Sequence, residues 1–239
     1  MTDWSKLHHA YGPAVDIPAL LDQVATHQRQ EDWDELWSRL CHQSTVYPAS
    51  FAALPWLASM AGDADPEQAV NAVMLGASIV EGAGQAHGAG DVLTRYAGEI
   101  ALLLAKAPEL GRTVGDRLDY LYLLGAMLAL EGMAGWSDEL AWGFSNGQFE
   151  LACPGCEVEV AIVVDGRGFF TALVDDEEGE RGSLEVDGRG RLDELGVRLR
   201  ELAIGDGQVE VAEMLRYVFG TGSCPACGAR FNVAEELDA

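Results

Sequence analysis

Basic residues are scarce in this chain: 15 Lys and Arg stand against 39 Asp and Glu in 239 residues, a formal net charge of −24 at pH 7. Such a field repels phosphate backbones and anionic lipid headgroups, and it attracts basic partners or cations. Direct nucleic-acid binding and a membrane-surface role are therefore disfavoured. The shortage is even along the chain. Residues 1–145 hold 7 basic and 19 acidic residues and residues 146–239 hold 8 and 20, so each part carries −12. In a chain this rich in acid, solubility is the plain use of the charge, and a docking surface for a basic protein is the functional one. Long apolar runs are also missing. The longest, Tyr120 to Leu130, has 11 residues, short of the roughly 20 that cross a bilayer. The opening "MTDWSKLHHAYG" has no basic stretch leading into an apolar one, so it does not read as a signal peptide. Cysteine is sparse too. Five are present, four of them in CxxC pairs, which suits a metal in a reducing compartment better than a disulfide framework. The expected location is the cytoplasm. Apolar side chains are not lacking: they make up 49% of the chain against 23% charged, enough to bury a real core.

From residue 14 to about 145 apolar positions recur at spacings of three and four, the helical period. The segments are "VDIPALLDQVATHQ", "DWDELWSRLCHQ", "YPASFAALPWLASMA" (with Pro55 expected to bend it), "DPEQAVNAVMLGASIVEG", "DVLTRYAGEIALLLAKA" and "RTVGDRLDYLYLLGAMLALEG", with "SDELAWGF" as a short last turn. Trp33, Leu36, Trp37 and Leu40 fall on one stripe of the second. Six or seven helices with short connections and no strand signal describe an α-solenoid or an irregular bundle.

The segment "WSKLHHAYGPAVDIPALL", followed by "LWSRLCHQSTVYPASFAALPWLASMA", resembles the start of HEAT-repeat-like proteins of actinobacteria and related bacteria. The similarity covers roughly residues 4–61. It implies a helical-repeat scaffold used for protein–protein contact and brings no catalytic residues with it.

Beyond about residue 146 the pattern changes. "QFELACPGCEVEVAIVVDG" alternates with a period of two through Phe149, Leu151, Val158, Val160, Ile162 and Val164. "GFFTALVD" and "GSLEVDG" read as further strands, then "RLDELGVRLRELAIG" and "QVEVAEMLRYVFG" as helices. The expected organisation is a HEAT-like helical domain over 1–145 and a small α+β domain over 146–239, mainly α in sum.

Within that second part, Cys153 and Cys156 are separated by 67 residues from Cys224 and Cys227. A structural zinc needs four ligands at tetrahedral corners, and a CxxC supplies two when a tight turn lets both sulfurs converge. Pro154 and Gly155 in the first pair, and Pro225 and Gly228 in the second, favour such turns. "ELACPGCEVEV" and "SCPACGARFNV" resemble the two halves of a zinc ribbon. Ribbon pairs usually lie about 15–20 residues apart, so residues 165–221 read as an insertion packing beside the site. The expectation is one structural Zn²⁺ held by Cys153, Cys156, Cys224 and Cys227. Three rivals stand beside it. A thioredoxin-like redox pair would need a strand feeding a helix N-terminus, whereas "CEVEVAIVV" continues as strand. Two independent disulfides would need an oxidising compartment, and a catalytic zinc would need an open coordination position. Zinc with four thiolates adds two further negative charges.

Other candidates read as structural. His8, His9, His27, His42 and His87 form no metal spacing. Cys41 and His42 are neighbours on an expected helix, point apart, and cannot act as nucleophile and base; Cys41 is expected to be a buried thiol. His42, Gln43, Tyr47 and Ser50 are expected to cap and bridge helices, with a binding pocket as the alternative. Trp4, Trp33, Trp37, Trp56, Trp136 and Trp142 read mostly as core. The glycine-rich "EGAGQAHGAGD" lacks the GK[ST] of a phosphate loop and reads as a connection. Arg189, Arg191, Arg198 and Arg200 form the one basic cluster, with Glu194 placed to pair locally. "DDEEGE" (175–180) reads as a solvated turn.

The sequence thus points to a non-enzymatic scaffold that binds another protein, with zinc purely structural. An immunity or antitoxin-like protein facing a basic toxin is the specific version. A thiol, redox or zinc-dependent enzyme and a transcription- or RNA-associated ribbon are the alternatives.

Overall fold

A computed structural model describes residues 2–27, 29–63, 65–83, 92–176, 179–186 and 193–238. The chain is mainly helical and forms two compact units, Met1–Thr113 with Ala126–Ala134, and Val114–Gly125 with Gly135–Ala239. No helix among the described residues is long and apolar enough to cross a membrane.

The first unit begins with a hairpin of β1 (His8–His9) and β2 (Gly12–Pro13), then α1 (Ile17–His27) and α2 (Gln30–Leu40). A second hairpin, β3 (Cys41–His42) and β4 (Thr45–Val46), leads to α3 (Pro48–Asp63) and α4 (Pro66–Ala83), followed by α5 (Val92–Arg95) and α6 (Ala97–Leu110). The helical spacing lands as expected on α1, whose Ile17, Leu21 and Val24 are buried, and on α2, whose Trp33, Leu36 and Leu40 are buried. Trp37 is only half-buried. Trp33 keeps its indole N–H satisfied inside the core by donating to Gln68 Oε1 of α4 at 2.6 Å. α4 is buried almost all round and packs on both α3 and α6. Gly76 allows the closest approach there, since a Cβ would sit 2.6 Å from a Leu103 methyl of α6. The segment 92–110 is two helices, not the expected one, with the break at Tyr96; Pro55 lies inside an uninterrupted α3.

The two N-terminal hairpins overturn the reading of this region as strand-free. Their strands have two residues each, too short to show alternation. The turn between β3 and β4 places Gln43 and Ser44 at φ 50° and 60°, where Asn-Gly is the recognisable sequence signal. Cys41 and His42 accordingly lie on a strand instead of a helix. Neighbours on a strand point to opposite faces, so they face apart for a different reason than expected.

α7 (Arg117–Leu130) is divided between the units at Gly125. The second unit then continues with α8 (Ala134–Asn146), which is longer than its sequence pattern suggests. β5 (Gln148–Ala152), β6 (Glu159–Asp165) and β7 (Gly168–Leu173) form an antiparallel sheet in that order. β8 (Leu184–Glu185) follows, then the helical pair α9 (Asp193–Gly205) and α10 (Val209–Val218), and last β9 (Thr221–Ser223), β10 (Arg230–Asn232) and α11 (Val233–Leu237). β10, β9 and β8 make a second antiparallel sheet. Val160 to Val164 of β6 are all buried, which is the signature of a central strand covered on both faces. One face joins Ala161 and Val163 to Phe170 and Ala172 of β7. On β5, Phe149 meets Phe144 of α8 edge-to-face at 5.2 Å. α8 comes so close that a Cβ on Gly143 would enter the Phe149 ring. The helical pattern gives way to strand between Asn146 and Gln148, while the compact unit also takes in 114–125 and 135–146.

Residues 165–221 hold β7, β8, α9 and α10. This segment does more than pack beside the cysteines. β7 pairs with β6 of the first sheet, β8 pairs with β9 of the second, and Thr171 of β7 donates to Ser223 O of β9 at 2.5 Å.

Candidate metal centre

Each CxxC occupies the tip of a two-stranded hairpin. In the first, Ala152 pairs with Glu159, Cys153 N donates to Val158 O at 2.9 Å, and Glu157 N donates to Cys153 O at 2.8 Å. In the second, Ser223 pairs with Arg230, Cys224 N donates to Ala229 O at 2.9 Å, and Gly228 N donates to Cys224 O at 2.9 Å. The two tips are one structure built twice. Each requires a left-handed fifth residue, supplied by Gly228 at φ 73° and by Glu157 at φ 61°.

The two sheets bring the tips together. The four Sγ atoms all lie within 4.8 Å of one another. Cys153 Sγ is 3.7 Å from Cys227 Sγ, and Cys156 Sγ is 3.8 Å from Cys224 Sγ. A disulfide would require about 2.05 Å, so the sulfurs are neighbours without a bond. Four sulfurs about 2.3 Å from a common centre define a tetrahedron with edges of about 3.8 Å, a length that the Cys153–Cys227 and Cys156–Cys224 separations match. Gly155 makes the approach possible, because a Cβ there would sit 2.8 Å from Ala229 Cβ and 3.4 Å from Cys227 Sγ.

The centre has an inner and an outer side. Cys153 and Cys224, the first cysteine of each pair, are 1% and 2% exposed. Cys156 and Cys227 are exposed. Backbone amides aim at the inner sulfurs: Gly155 N is 3.3 Å from Cys153 Sγ and Cys156 N joins it, while the amides of Cys227 and Ala226 serve Cys224. Burial pushes the Cys153 thiol up, but the amides of Gly155 and Cys156 together with the facing side chains of Cys224 and Cys156 bring it to about 7. On Cys156 the Val158 amide works downward, yet the facing sulfurs of Cys227, Cys153 and Cys224 together with burial win and push it up to about 12. Cys224 is likewise raised, by burial first, against its amides. The cause is general: one thiolate opposes ionisation of the next, and a divalent cation placed among them reverses that.

The other sequence candidates do not assemble into a second centre among the described residues. His9 is buried. Its Nδ1 accepts from Tyr11 N at 3.1 Å, so its proton sits on Nε2 and is donated to Asp16 Oδ1 at 3.1 Å. Both nitrogens are thus committed to holding the β1–β2 turn. His42 Nδ1 lies 3.2 Å from Tyr11 Oη, and His27 lies 3.5 Å from Asp32. Cys41 is buried as expected, and burial, aided by the Glu81 charge, pushes its thiol up to about 11. Ser50 bridges as expected, accepting from Tyr47 N and donating to Leu40 O. Trp33 and Trp136 are core residues, whereas Trp142 is 49% exposed. Asp176 and Gly179 make a turn after β7, with Glu177 and Glu178 outside the described residues. His87, the glycine-rich stretch 84–91, Arg189 and Arg191 also lie outside them; Arg198 and Arg200 are on α9. Three features of the site escaped the sequence reading: the left-handed Glu157, the Gly155–Ala229 approach, and the pairing of 165–221 into both sheets. The first has no sequence signal, since only Gly or Asn announces that conformation.

Comparison with protein-family models, with curated proteins and with solved structures finds no match to this chain.

Proposed function

We propose that this chain is a non-enzymatic, protein-binding scaffold whose second unit is fastened by one structural Zn²⁺ on Cys153, Cys156, Cys224 and Cys227. The observation that carries the metal is the pair of sulfur separations, 3.7 and 3.8 Å, equal to the edge of a tetrahedral thiolate shell of about 3.8 Å. Iron–sulfur clusters spread four cysteines over two or more irons and so hold some of their sulfurs farther apart, whereas all four here lie within 4.8 Å of one another, which fits a single ion. Four thiolates close the coordination sphere and leave no position for a reacting water. The knuckles join two hairpins, in the manner of a zinc ribbon. The helices of the first unit serve as a HEAT-like scaffold. The partner is a basic protein, a reading supported by the net charge of −24, and an immunity or antitoxin-like role against a basic toxin fits that charge.

Native mass spectrometry with metal analysis of the wild type, Cys153→Ser and Cys224→Ser tests the shared site. One zinc per chain is expected, lost in both variants; stoichiometric zinc and full stability in either one would end the shared-site reading. For the partner, size-exclusion chromatography with basic proteins encoded beside this chain should show a complex that weakens as salt rises.

A further inference from the structure

We propose that the outward sulfurs Cys156 and Cys227 are oxidation sites for a hydroperoxide, each closing a disulfide onto the inward cysteine of the opposite knuckle, Cys156 with Cys224 and Cys227 with Cys153. The inference rests on the metal reading above and adds a reaction of the same sulfurs. Two observations carry it. Access is one-sided: Cys156 and Cys227 are exposed, while Cys153 and Cys224 are 1% and 2% exposed, so a small oxidant from solvent reaches one sulfur of each pair first. Partners are in place: each outward sulfur has an inward one of the other knuckle at 3.8 or 3.7 Å, and closing to about 2.05 Å needs an approach of under 2 Å.

The chemistry balances. Cys156 thiolate attacks a peroxide oxygen, the O–O bond breaks, and hydroxide leaves with the electron pair, leaving a sulfenic acid on Cys156. Cys224 thiolate, on the side away from solvent, displaces the second hydroxide and forms the S–S bond. The same sequence runs from Cys227 to Cys153. In total four thiolates, two molecules of hydrogen peroxide and four protons give two disulfides and four waters, and the divalent ion is freed. Because each disulfide crosses between knuckles, the two hairpins stay tied after the ion has gone. Disulfides within each CxxC would instead release them from one another.

The test uses the full chain loaded with zinc, its metal content measured first. Hydrogen peroxide is added stepwise, free thiols are alkylated after denaturation, and unreduced peptides are mapped by fragmentation between the cysteines of each knuckle. Zinc release should track oxidant and finish at two equivalents, with Cys156–Cys224 and Cys153–Cys227 linkages. Cys41, 7% exposed with a thiol raised to about 11, is the internal control and should remain alkylatable. Disulfides confined to Cys153–Cys156 and Cys224–Cys227, or zinc retained while Cys41 is consumed, would overturn the proposal. A chain that holds no zinc before the oxidant is added fails the metal reading itself, and the first measurement shows that separately.

Discussion

Replacing Gly155 by Ala adds one methyl group at the point where the two knuckles meet. Its Cβ would lie 2.8 Å from Ala229 Cβ, whereas carbon atoms in contact settle at about 3.5 Å or more. About 0.7 Å must therefore be found. Ala229 cannot yield freely, because its carbonyl accepts from Cys224 N within the second knuckle. Opening the knuckles by that amount stretches the Cys153–Cys227 separation from 3.7 Å to about 4.4 Å, well beyond the edge of about 3.8 Å that a tetrahedral shell wants and beyond ligand tolerances of about 0.2 Å. Disturbing the support of a metal shell typically costs 10- to 100-fold in affinity, about 1.4–2.7 kcal/mol. Competition against a chromophoric chelator on the full chain reads this directly. Two companion variants isolate the cause. Ala229→Gly in the Gly155→Ala background removes the opposing methyl and should restore most of the affinity. Ala226→Ser alters the same position of the other knuckle, which is exposed, and should be neutral. Wild-type affinity in Gly155→Ala, or no recovery in the double variant, would refute the reasoning.

Chelating the ion should lower the melting temperature of the second unit. With free zinc at a thousand times Kd the linkage is worth about 4 kcal/mol, or about 8–16 °C at this chain length, read by scanning calorimetry with and without chelator. The same treatment should loosen α11, so the emission of Trp136, whose indole donates to Asp238 at 3.1 Å, should shift to the red. Metal affinity should fall as pH falls, since every ligand must give up its proton before binding. Because Cys156 is pushed up to about 12 and Cys224 is raised in the metal-free cluster, binding at neutral pH should release protons, which calorimetry in buffers of differing ionisation enthalpy will count. Glu157→Gly should stabilise the first knuckle, because a left-handed non-glycine costs about 1–2 kcal/mol and glycine's extra chain entropy returns about 0.5–1 kcal/mol of that. A lowered melting temperature in that variant would show that the Glu157 side chain makes a stabilising contact.

How far the site could be read from residues alone depended on what each feature leaves in the sequence. The knuckles were legible because Cys, Pro and Gly at fixed offsets record both the ligands and the turn. The 67-residue separation hid nothing essential, since ordered strands rather than chain length bring Cys156 and Cys224 together. Residues 165–221 do more than the sequence suggests. "GFFTALVD" and "GSLEVDG" looked like parts of an insertion, yet β7 and β8 extend the sheets that carry the two knuckles, and pairing partners leave no mark in a single sequence. The hairpin at Cys41–Val46 was missed for an energetic reason. Gln43 and Ser44 adopt left-handed conformations against their own preference, and what surrounds them compensates: Gly82 on α4 lies so close that a Cβ would meet Val46 at 2.7 Å and Ser44 O at 3.0 Å. Tertiary contact overrode local preference there. The alternation over Val158 to Val164 identified a strand correctly but implied one wet face, and Ala161 and Val163 turned out buried as well.

The pairing of β7 with one hairpin and β8 with the other bears on how the chain is made. The first knuckle supplies two of the four sulfurs, and the other two follow only after β7, β8 and the helices α9 and α10 in the chain. Only a chain that has laid the intervening strands against their neighbours can present all four sulfurs at once. If the four sulfurs hold an ion as proposed, a chain that has mispaired β7 or β8 could not assemble the shell, so its metal content would report whether these strands have found their neighbours.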